Sequence, residues 1–242
     1  MVVLALETVT RAGSVAVSID GTCAGAPGDG GRTHAERLPG DLLAWLSRHS
    51  RSLKDVDTYA VITGPGSFTG LRIGIAAIQG LAIASRRSIV PLPTLDAMAL
   101  AWIERGEHSR GAIVAACLDG HRGEVFSAAW RIGGRATLAD AEIVLAPKVS
   151  EAARVAEDLR SLSATGPIVV IGDGGRRYAA AFGRSVELAD VPVPLAEVAA
   201  RFAVAHPGLA VVPHALRPIY IRRPDAVLAR ERAGDVARVP RP

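Results

Sequence analysis

The sequence predicts an α/β protein of two similar lobes, each with a mixed sheet flanked by helices. Apolar runs at 2–6 and 112–118 are typical of central strands covered on both faces. Each run ends at an acid, Glu7 or Asp119, and is followed by a polar turn and an alternating strand. These acids lie 112 positions apart, and the glycine turns at Gly64 and Gly172 lie 108 apart. The repeated order of elements indicates an internal duplication.

In the first half, alternation and turn signals predict strands, and 3.6-residue periodicity predicts helices. Asp20-Gly21 is typical of a hairpin turn between the second and third strands. The predicted strands are 2–6, 14–19, 22–26, 58–63 and 89–92, and the predicted helices are 34–49, 67–85 and 95–104.

The second half repeats this order, with Ser150 as the expected cap of a helix. The segment 216–221 is expected to return to the first lobe. We divide the chain into an N-terminal lobe (1–105), a C-terminal lobe (106–213) and a return segment with a basic tail (214–242). The predicted strands are 112–118, 124–132, 141–145 and 167–171, and the predicted helices are 150–162, 176–182 and 194–206.

The segment 64–85 organises the first half. GPG at 64–66 predicts a tight turn, and Ser67 is suited to cap the following helix. That helix is apolar on nearly every side, so it needs a cover on two sides. Its interior glycines cost about 0.5–1 kcal/mol each relative to alanine, which indicates close approach of another backbone. Either the protein's own sheet supplies that backbone, or Gly70 and Gly74 open a groove for another subunit.

Composition narrows the classes of function. The chain carries a formal net charge of +4. The whole excess comes from residues 217–242, which include seven arginines and three acidic residues. We interpret this segment as a solvated tail rather than as an RNA-binding one. Aromatic residues make up only 4%, so a surface for stacking bases would need to be built from very few side chains. With no recognisable signal peptide or flanked membrane span, the expected location is the cytoplasm.

Several catalytic patterns are incomplete. Two cysteines form no disulfide framework or metal cluster, and six scattered histidines include no HExxH pair, so no metal site is predicted. GPGSFTG lacks the lysine of a phosphate-binding loop, and Ser67 does not sit in a GxSxG elbow. A cleft between the lobes could still hold a nucleotide or magnesium ion. Its expected residues, a vestigial nucleotide cleft, are Glu7, Thr8, Asp119, Gly172 and Gly174.

Several sequence blocks then point to a family. GPGSFTGLRIG at 64–74 is highly specific, and weaker matches follow in order along nearly the whole chain. They are LALETVTRAGSVAV at 4–17, His34, PTL at 93–95, LDGHRGEVF at 118–126 and PIYIR at 218–222. On these residues the sequence resembles the TsaB (YeaZ) proteins, a bacterial glycoprotease-like family of the actin-like ATPase and sugar kinase (ASKHA) superfamily. One departure is Glu7, where the family usually has Asp.

The resemblance implies a non-catalytic subunit with the ASKHA fold. Such proteins help TsaD to place a threonylcarbamoyl group on the adenosine next to the tRNA anticodon. The implied partners are a TsaD-like catalytic subunit and a TsaE-like ATPase, with a homodimer when the chain is alone and only indirect or weak contact with tRNA. No cofactor is implied, although a nucleotide or magnesium ion at the subunit contact stays open. The alternative is an enzyme acting alone, either a kinase-like ATPase or a glycoprotease-type peptidase.

In this family the first-lobe helices form the subunit contact, which agrees with an apolar helix that needs two covers. We therefore expect a partner to contact helices 34–49 and 67–85. The expected partner-binding residues are His34, Leu38, Leu42, Gly70, Leu71, Gly74, Ile75, Ala77, Ile78 and Leu81.

Overall fold

A computed structural model describes residues 1–106, 109–133, 137–163 and 166–222. It places them in two five-stranded sheets with helices packed on both. The basic tail predicted beyond residue 222 lies outside the described residues.

The first sheet has strand order β3-β2-β1-β4-β5. β1 pairs antiparallel with β2 and parallel with β4, and every residue of β1 is buried, as its continuous apolar run predicts. β2 pairs antiparallel with β3, and β4 pairs parallel with β5. The strands are β1 (Val2–Glu7), β2 (Ser14–Ile19), β3 (Thr22–Pro27), β4 (Thr58–Ile62) and β5 (Ser88–Leu92).

Three helices belong to this half of the sequence: α1 (His34–Arg48), α2 (Phe68–Ser85) and α3 (Thr94–Ile103). The Ser67 hydroxyl accepts a hydrogen bond from the backbone N–H of Gly70 at 3.1 Å, which confirms the predicted N-cap. By length and composition alone α2 could cross a membrane, with a mean hydropathy of 1.4, but core helices of soluble proteins share these properties.

The second sheet repeats the first, with strand order β10-β9-β6-β7-β8. Each pairing has the same direction as its counterpart in the first sheet, so the predicted duplication and the two-lobed fold class are confirmed. The strands are β6 (Ile113–Asp119), β7 (Glu124–Arg131), β8 (Glu142–Glu151), β9 (Ile168–Ile171) and β10 (Glu187–Ala189), and the helices are α4 (Ala152–Leu162), α5 (Asp173–Arg177), α6 (Ala179–Phe182) and α7 (Leu195–Ala205).

The last helix of each half crosses to the other sheet. α3 packs on β6 and β7, whereas α7 packs on β1, β2 and β4. The main hydrophobic core consequently contains side chains from both sheets. The division at residues 105 and 213 therefore follows the repeat in the sequence, and as a division into folding units it stays a prediction.

The chain from Val211 to Ile219, which includes the start of the return segment, runs along the first lobe. Val211 and Ile89 exchange backbone hydrogen bonds of 2.8 and 3.0 Å, and the Ile219 N–H donates to the Thr63 carbonyl at 2.7 Å. The Gln79 side chain on α2 donates to the Pro213 carbonyl at 2.7 Å. This segment thus closes one edge of the first sheet before it reaches the second lobe.

Candidate functional site

The protein's own chain explains two of the three interior glycines of α2, Gly70 and Gly74. A Cβ atom at Gly70 would overlap the backbone oxygen of Thr8, and one at Gly74 would overlap the Thr8 hydroxyl. Both glycines are buried, because the loop that follows β1 lies directly against the helix. The prediction that these two residues open a groove for another subunit is therefore wrong.

Most other residues expected to contact a partner are also covered by this chain. His34 is held by the Thr10 carbonyl, 3.0 Å from Nε2, and by the Arg37 guanidinium, 2.9 Å from Nδ1. Because the guanidinium donates to Nδ1, the ring carries its proton on Nε2. Buried in the first-lobe core are Leu38, Leu42, Leu71, Ile75 and Ile78, whereas Ala77 and Leu81 are half-buried.

The exposed sides of α1 and α2 present a different set of residues. The two helices pack side by side, and each exposes small or apolar positions. The Ile83 side chain is 63% exposed, and a Cβ atom added at Gly40 or Gly80 would meet nothing within 4 Å. None of these positions is charged, and the exposed charged residues of the two helices are Glu36 and Arg48 near the ends of α1 and Arg72 near the start of α2. This surface, called here the outer face, consists of Gly40, Leu43 and Ala44 of α1 and Ala76, Gly80, Ile83 and Ala84 of α2.

A cleft of about 690 Å³ opens between the lobes. Its walls come from the loop after β1, the turn that leads into α2, the end of β6 and the return segment. Lining it are Val9, Thr10, Arg11, Pro65, Gly66, Ser67, Phe68, Thr69, Leu118, Asp119, Gly120, His121, Phe126, Asp173, Ile219, Tyr220, Ile221 and Arg222.

Glu7 does not line this cleft, contrary to expectation. Its buried carboxylate accepts hydrogen bonds from the Thr10 N–H at 2.6 Å, the Thr10 hydroxyl at 3.2 Å and the Ser14 hydroxyl at 2.9 Å. Burial raises the pKa of Glu7, and these hydrogen bonds oppose that shift. The carboxylate thus anchors the turn between β1 and β2, while its neighbour Thr8 faces α2.

Asp119 does line the cleft, but its carboxylate already has partners within this chain. It accepts from the His121 N–H at 2.9 Å and the Tyr178 hydroxyl at 3.1 Å, and it lies 3.4 Å from the Arg177 Nε. The Asp119 N–H in turn donates to Asp173 at 2.9 Å. The carboxylate is therefore part of a local network that fixes the end of β6.

The glycine turn after β9 is filled by neighbouring atoms. A Cβ at Gly172 would overlap the Met98 side chain, and one at Gly174 would lie 2.9 Å from the Cys117 carbonyl oxygen. Burial also raises the pKa of the Cys117 thiol to about 12. Neither glycine lines the cleft, so of the five residues expected to form a nucleotide cleft only Asp119 does so. The expected set does not fit a bound nucleotide.

Sequence reasoning missed an aromatic cluster at the mouth of the cleft. The rings of Phe68 and Tyr220 have centroids 5.2 Å apart, and the Arg72 guanidinium lies 3.9 Å from the Phe68 centroid. Arg72 Nε also donates to the Tyr220 hydroxyl at 3.2 Å. Phe68 belongs to the GPGSFTG block and Tyr220 to the PIYIR block. Each block was singled out in the sequence, but nothing in the sequence indicated that the two are in contact.

Comparison with known proteins decides the family. A family model described as tRNA N6-adenosine threonylcarbamoyltransferase (TsaD) matches residues 25–184. The tRNA threonylcarbamoyladenosine biosynthesis protein TsaB of Escherichia coli (strain K12) is 34% identical over 181 residues, which cover 74% of each chain. The chain belongs to the TsaB (YeaZ) family.

Two further TsaB relatives agree with this assignment. The TsaB protein of Haemophilus influenzae is 36% identical over 126 residues, 52% of each chain. A solved structure from Pseudomonas aeruginosa, described as similar to the peptidase YeaZ, is 27% identical with a TM-score of 0.75 and covers 91% of this chain and 99% of its own. The predicted family and its two-lobed α/β fold are thereby confirmed.

Proposed function

We propose that this chain is an accessory subunit in tRNA threonylcarbamoylation, which binds and activates a TsaD-type transferase through the outer face of its first lobe. The observation that carries the proposal is the uncharged outer face itself. α2 already packs its inner side on this chain, so the exposed Ile83 side chain and the open positions at Gly40 and Gly80 remain for a second polypeptide.

Small residues on both helices favour a helical partner. Gly40, Ala44, Ala76 and Gly80 would let the backbones of a facing helix pair approach closely, while larger apolar side chains supply buried area. We expect the same face to pair two copies of this chain when the transferase is absent, and a TsaE-type ATPase to join the complex in the cytoplasm.

The interior of the protein supports an accessory role rather than the ATPase or peptidase alternative. Glu7 is committed to the turn after β1, and Gly172 and Gly174 pack against neighbouring atoms. Asp119 is the one expected acid that lines the cleft, and its side chain is only 8% exposed. ATP or peptide hydrolysis by the chain alone, abolished by Asp119→Asn, would favour the alternative.

The outer face is tested by Ile83→Glu, with Ile143→Glu as a matched control. Ile143 lies on β8 and is 59% exposed, close to the 63% of Ile83, so both variants place a charge at an equally exposed isoleucine. We expect Ile83→Glu to weaken binding to the TsaD-type partner at least about tenfold, because a carboxylate would be desolvated in the contact. Formation of threonylcarbamoyladenosine by the reconstituted complex should fall in parallel.

Partner affinity is measured by titration of the labelled full chain, and folding of each variant is checked by thermal unfolding. The control should bind like the wild type. Equal affinity of the wild type and Ile83→Glu would show that the outer face is not the contact.

A further inference from the structure

Aromatic side chains are concentrated in the cleft between the lobes. The whole sequence has only ten aromatic residues: four phenylalanines, three tyrosines and three tryptophans. Three of these ten, Phe68, Phe126 and Tyr220, line this one cleft. Phe68 and Tyr220 are 38% and 40% exposed, so part of each ring is accessible at its mouth. The cost of exposing such rings suggests a ligand that stacks on them.

The geometry of the two exposed rings is fixed by a cation. Arg72 stacks on Phe68 and donates to the Tyr220 hydroxyl, which joins the start of α2 to the return segment. The rings are tilted by 40° and their centroids lie 5.2 Å apart. A planar ligand therefore meets a preformed surface made of aromatic and guanidinium groups.

The same mouth carries positive charge. The Arg11 side chain lines the cleft and donates to the Gly30 carbonyl, and no carboxylate pairs with it among the residues that the structure describes. The 18-residue helix α2 begins in the cleft at Phe68 and adds the partial positive charge of its N-terminus. Asp119 and Asp173 lie on the opposite, second-lobe wall.

We propose that this cleft binds unpaired nucleotides of RNA, with bases stacked on Phe68 and Tyr220 and a backbone phosphate near Arg11. Unpaired RNA is recognised in this way, because its bases are free to stack on aromatic and arginine side chains. The identity of that RNA as a substrate tRNA rests on the proposed function, whereas the stacking site itself does not.

RNA fits the cleft better than a free nucleoside triphosphate does. A triphosphate carries several negative charges and would face Asp119 and Asp173, while the glycine turn after β9 is already filled. An RNA strand needs to place only single phosphates at the rim beside Arg11. The two ligands share a base and a phosphate, so the experiment must separate them.

The test uses the full chain alone and a fluorescent single-stranded RNA of about 12 nucleotides, followed by anisotropy. We expect the single strand to bind more tightly than its duplex. Tyr220→Ala and Phe68→Ala should each weaken binding by roughly five- to 100-fold. Tyr220→Phe keeps the ring and should bind within about threefold of the wild type.

Two matched controls separate the cleft from general effects. Phe202→Ala removes a half-buried ring on α7 that stacks on His206 and does not line the cleft. Arg11→Gln should lower the slope of log affinity against log salt by about 0.7, as expected when one phosphate contact is lost. Arg154→Gln on α4, whose side chain is 68% exposed, should leave that slope unchanged.

RNA affinity of Tyr220→Ala and Phe68→Ala equal to that of the wild type would overturn the proposal. Displacement of the RNA by AMP or ATP at comparable concentrations would also overturn it, since the cleft would then be a mononucleotide site. Loss of RNA binding in Tyr220→Ala together with full partner binding by Ile83→Glu would leave the RNA site standing and remove the proposed function. Partner binding lost in Ile83→Glu, with RNA binding unchanged in Tyr220→Ala, would do the reverse.

Discussion

Glu7 connects the first turn of the chain to the last helix. Its carboxylate accepts from the Ser14 hydroxyl, and the oxygen of that hydroxyl accepts from the Ala196 N–H at the start of α7 at 3.1 Å. The acid at the end of β1 therefore stabilises contacts between segments far apart in sequence. Its position suggested chemistry, because acids that end central strands often face a cleft, but its hydrogen bonds assign it to the structure.

The raised pKa of Glu7 predicts that the free energy of unfolding changes with pH. Burial raises its folded pKa above the ordinary value of 4.5. A raised carboxyl pKa contributes stability that is fully present below the unfolded pKa and is lost as pH rises through the folded pKa. Glu7→Gln lacks this contribution, so the unfolding free energy of the wild type relative to Glu7→Gln should decrease as pH rises.

Urea unfolding of both proteins from about pH 4 to pH 8 measures this difference. A difference that stays constant across the range would mean that Glu7 has the same pKa in the folded and unfolded states.

The residues of α2 also show what a sequence can and cannot specify. Its boundaries and its Ser67 cap were predictable, because capping and apolar content are local properties. Which side of the helix faces the sheet was not, since nearly all sides are apolar. The loop at Thr8 decides this, and that contact joins residues more than sixty positions apart. For this reason the candidate partner-binding surface lies on the outer side of α2 and not on the inner side that the sequence suggested.

Gly74 and Gly80, two glycines of this helix, should respond in opposite ways to alanine. At Gly74 the added Cβ overlaps the Thr8 hydroxyl, so Gly74→Ala should lower the unfolding free energy by about 1–3 kcal/mol. At Gly80 the Cβ meets open space, so Gly80→Ala should raise it by up to about 1 kcal/mol through helix propensity. Denaturant unfolding of the two variants checks both signs, and an unfolding free energy of Gly74→Ala equal to or above that of the wild type would contradict the packing of Thr8 on α2.

Elements in the second lobe depart from expectation where pairing overrides local signals. Ser150 looks like a helix cap, yet it pairs with Val125, so β8 continues to Glu151 and α4 begins at Ala152. β10 has only three residues and was missed, since its pairing with β9 leaves no detectable period. In place of the single predicted helix 176–182 there are two short helices, α5 beginning at Asp173 and α6 beginning at Ala179.

On the scale of the whole molecule, the two lobes share their helices. The duplication was visible in the sequence, because both halves repeat one order of elements. The exchange of α3 and α7 was not, since an apolar helix has the same pattern whichever sheet it covers. The return segment adds a further link: Ile219 bonds to Thr63 of the first lobe, and Arg222 donates to the Gly120 carbonyl of the second at 2.6 Å. We therefore expect the lobes to unfold together.

Because α7 packs on the first sheet, we expect a cavity in α7 to destabilise that sheet locally. Val198 on α7 and Val155 on α4 are both fully buried valines from the second half of the sequence. Val198 belongs to the core that includes the first sheet, whereas Val155 belongs to a separate core under the second. Each change to alanine should cost about 2 kcal/mol through lost burial and a cavity. Hydrogen exchange should accelerate in β1 and β2 for Val198→Ala, and in β6 and β7 for Val155→Ala, wherever opening is local. The same pattern of exchange in both variants would mean that α7 does not stabilise the first sheet in particular.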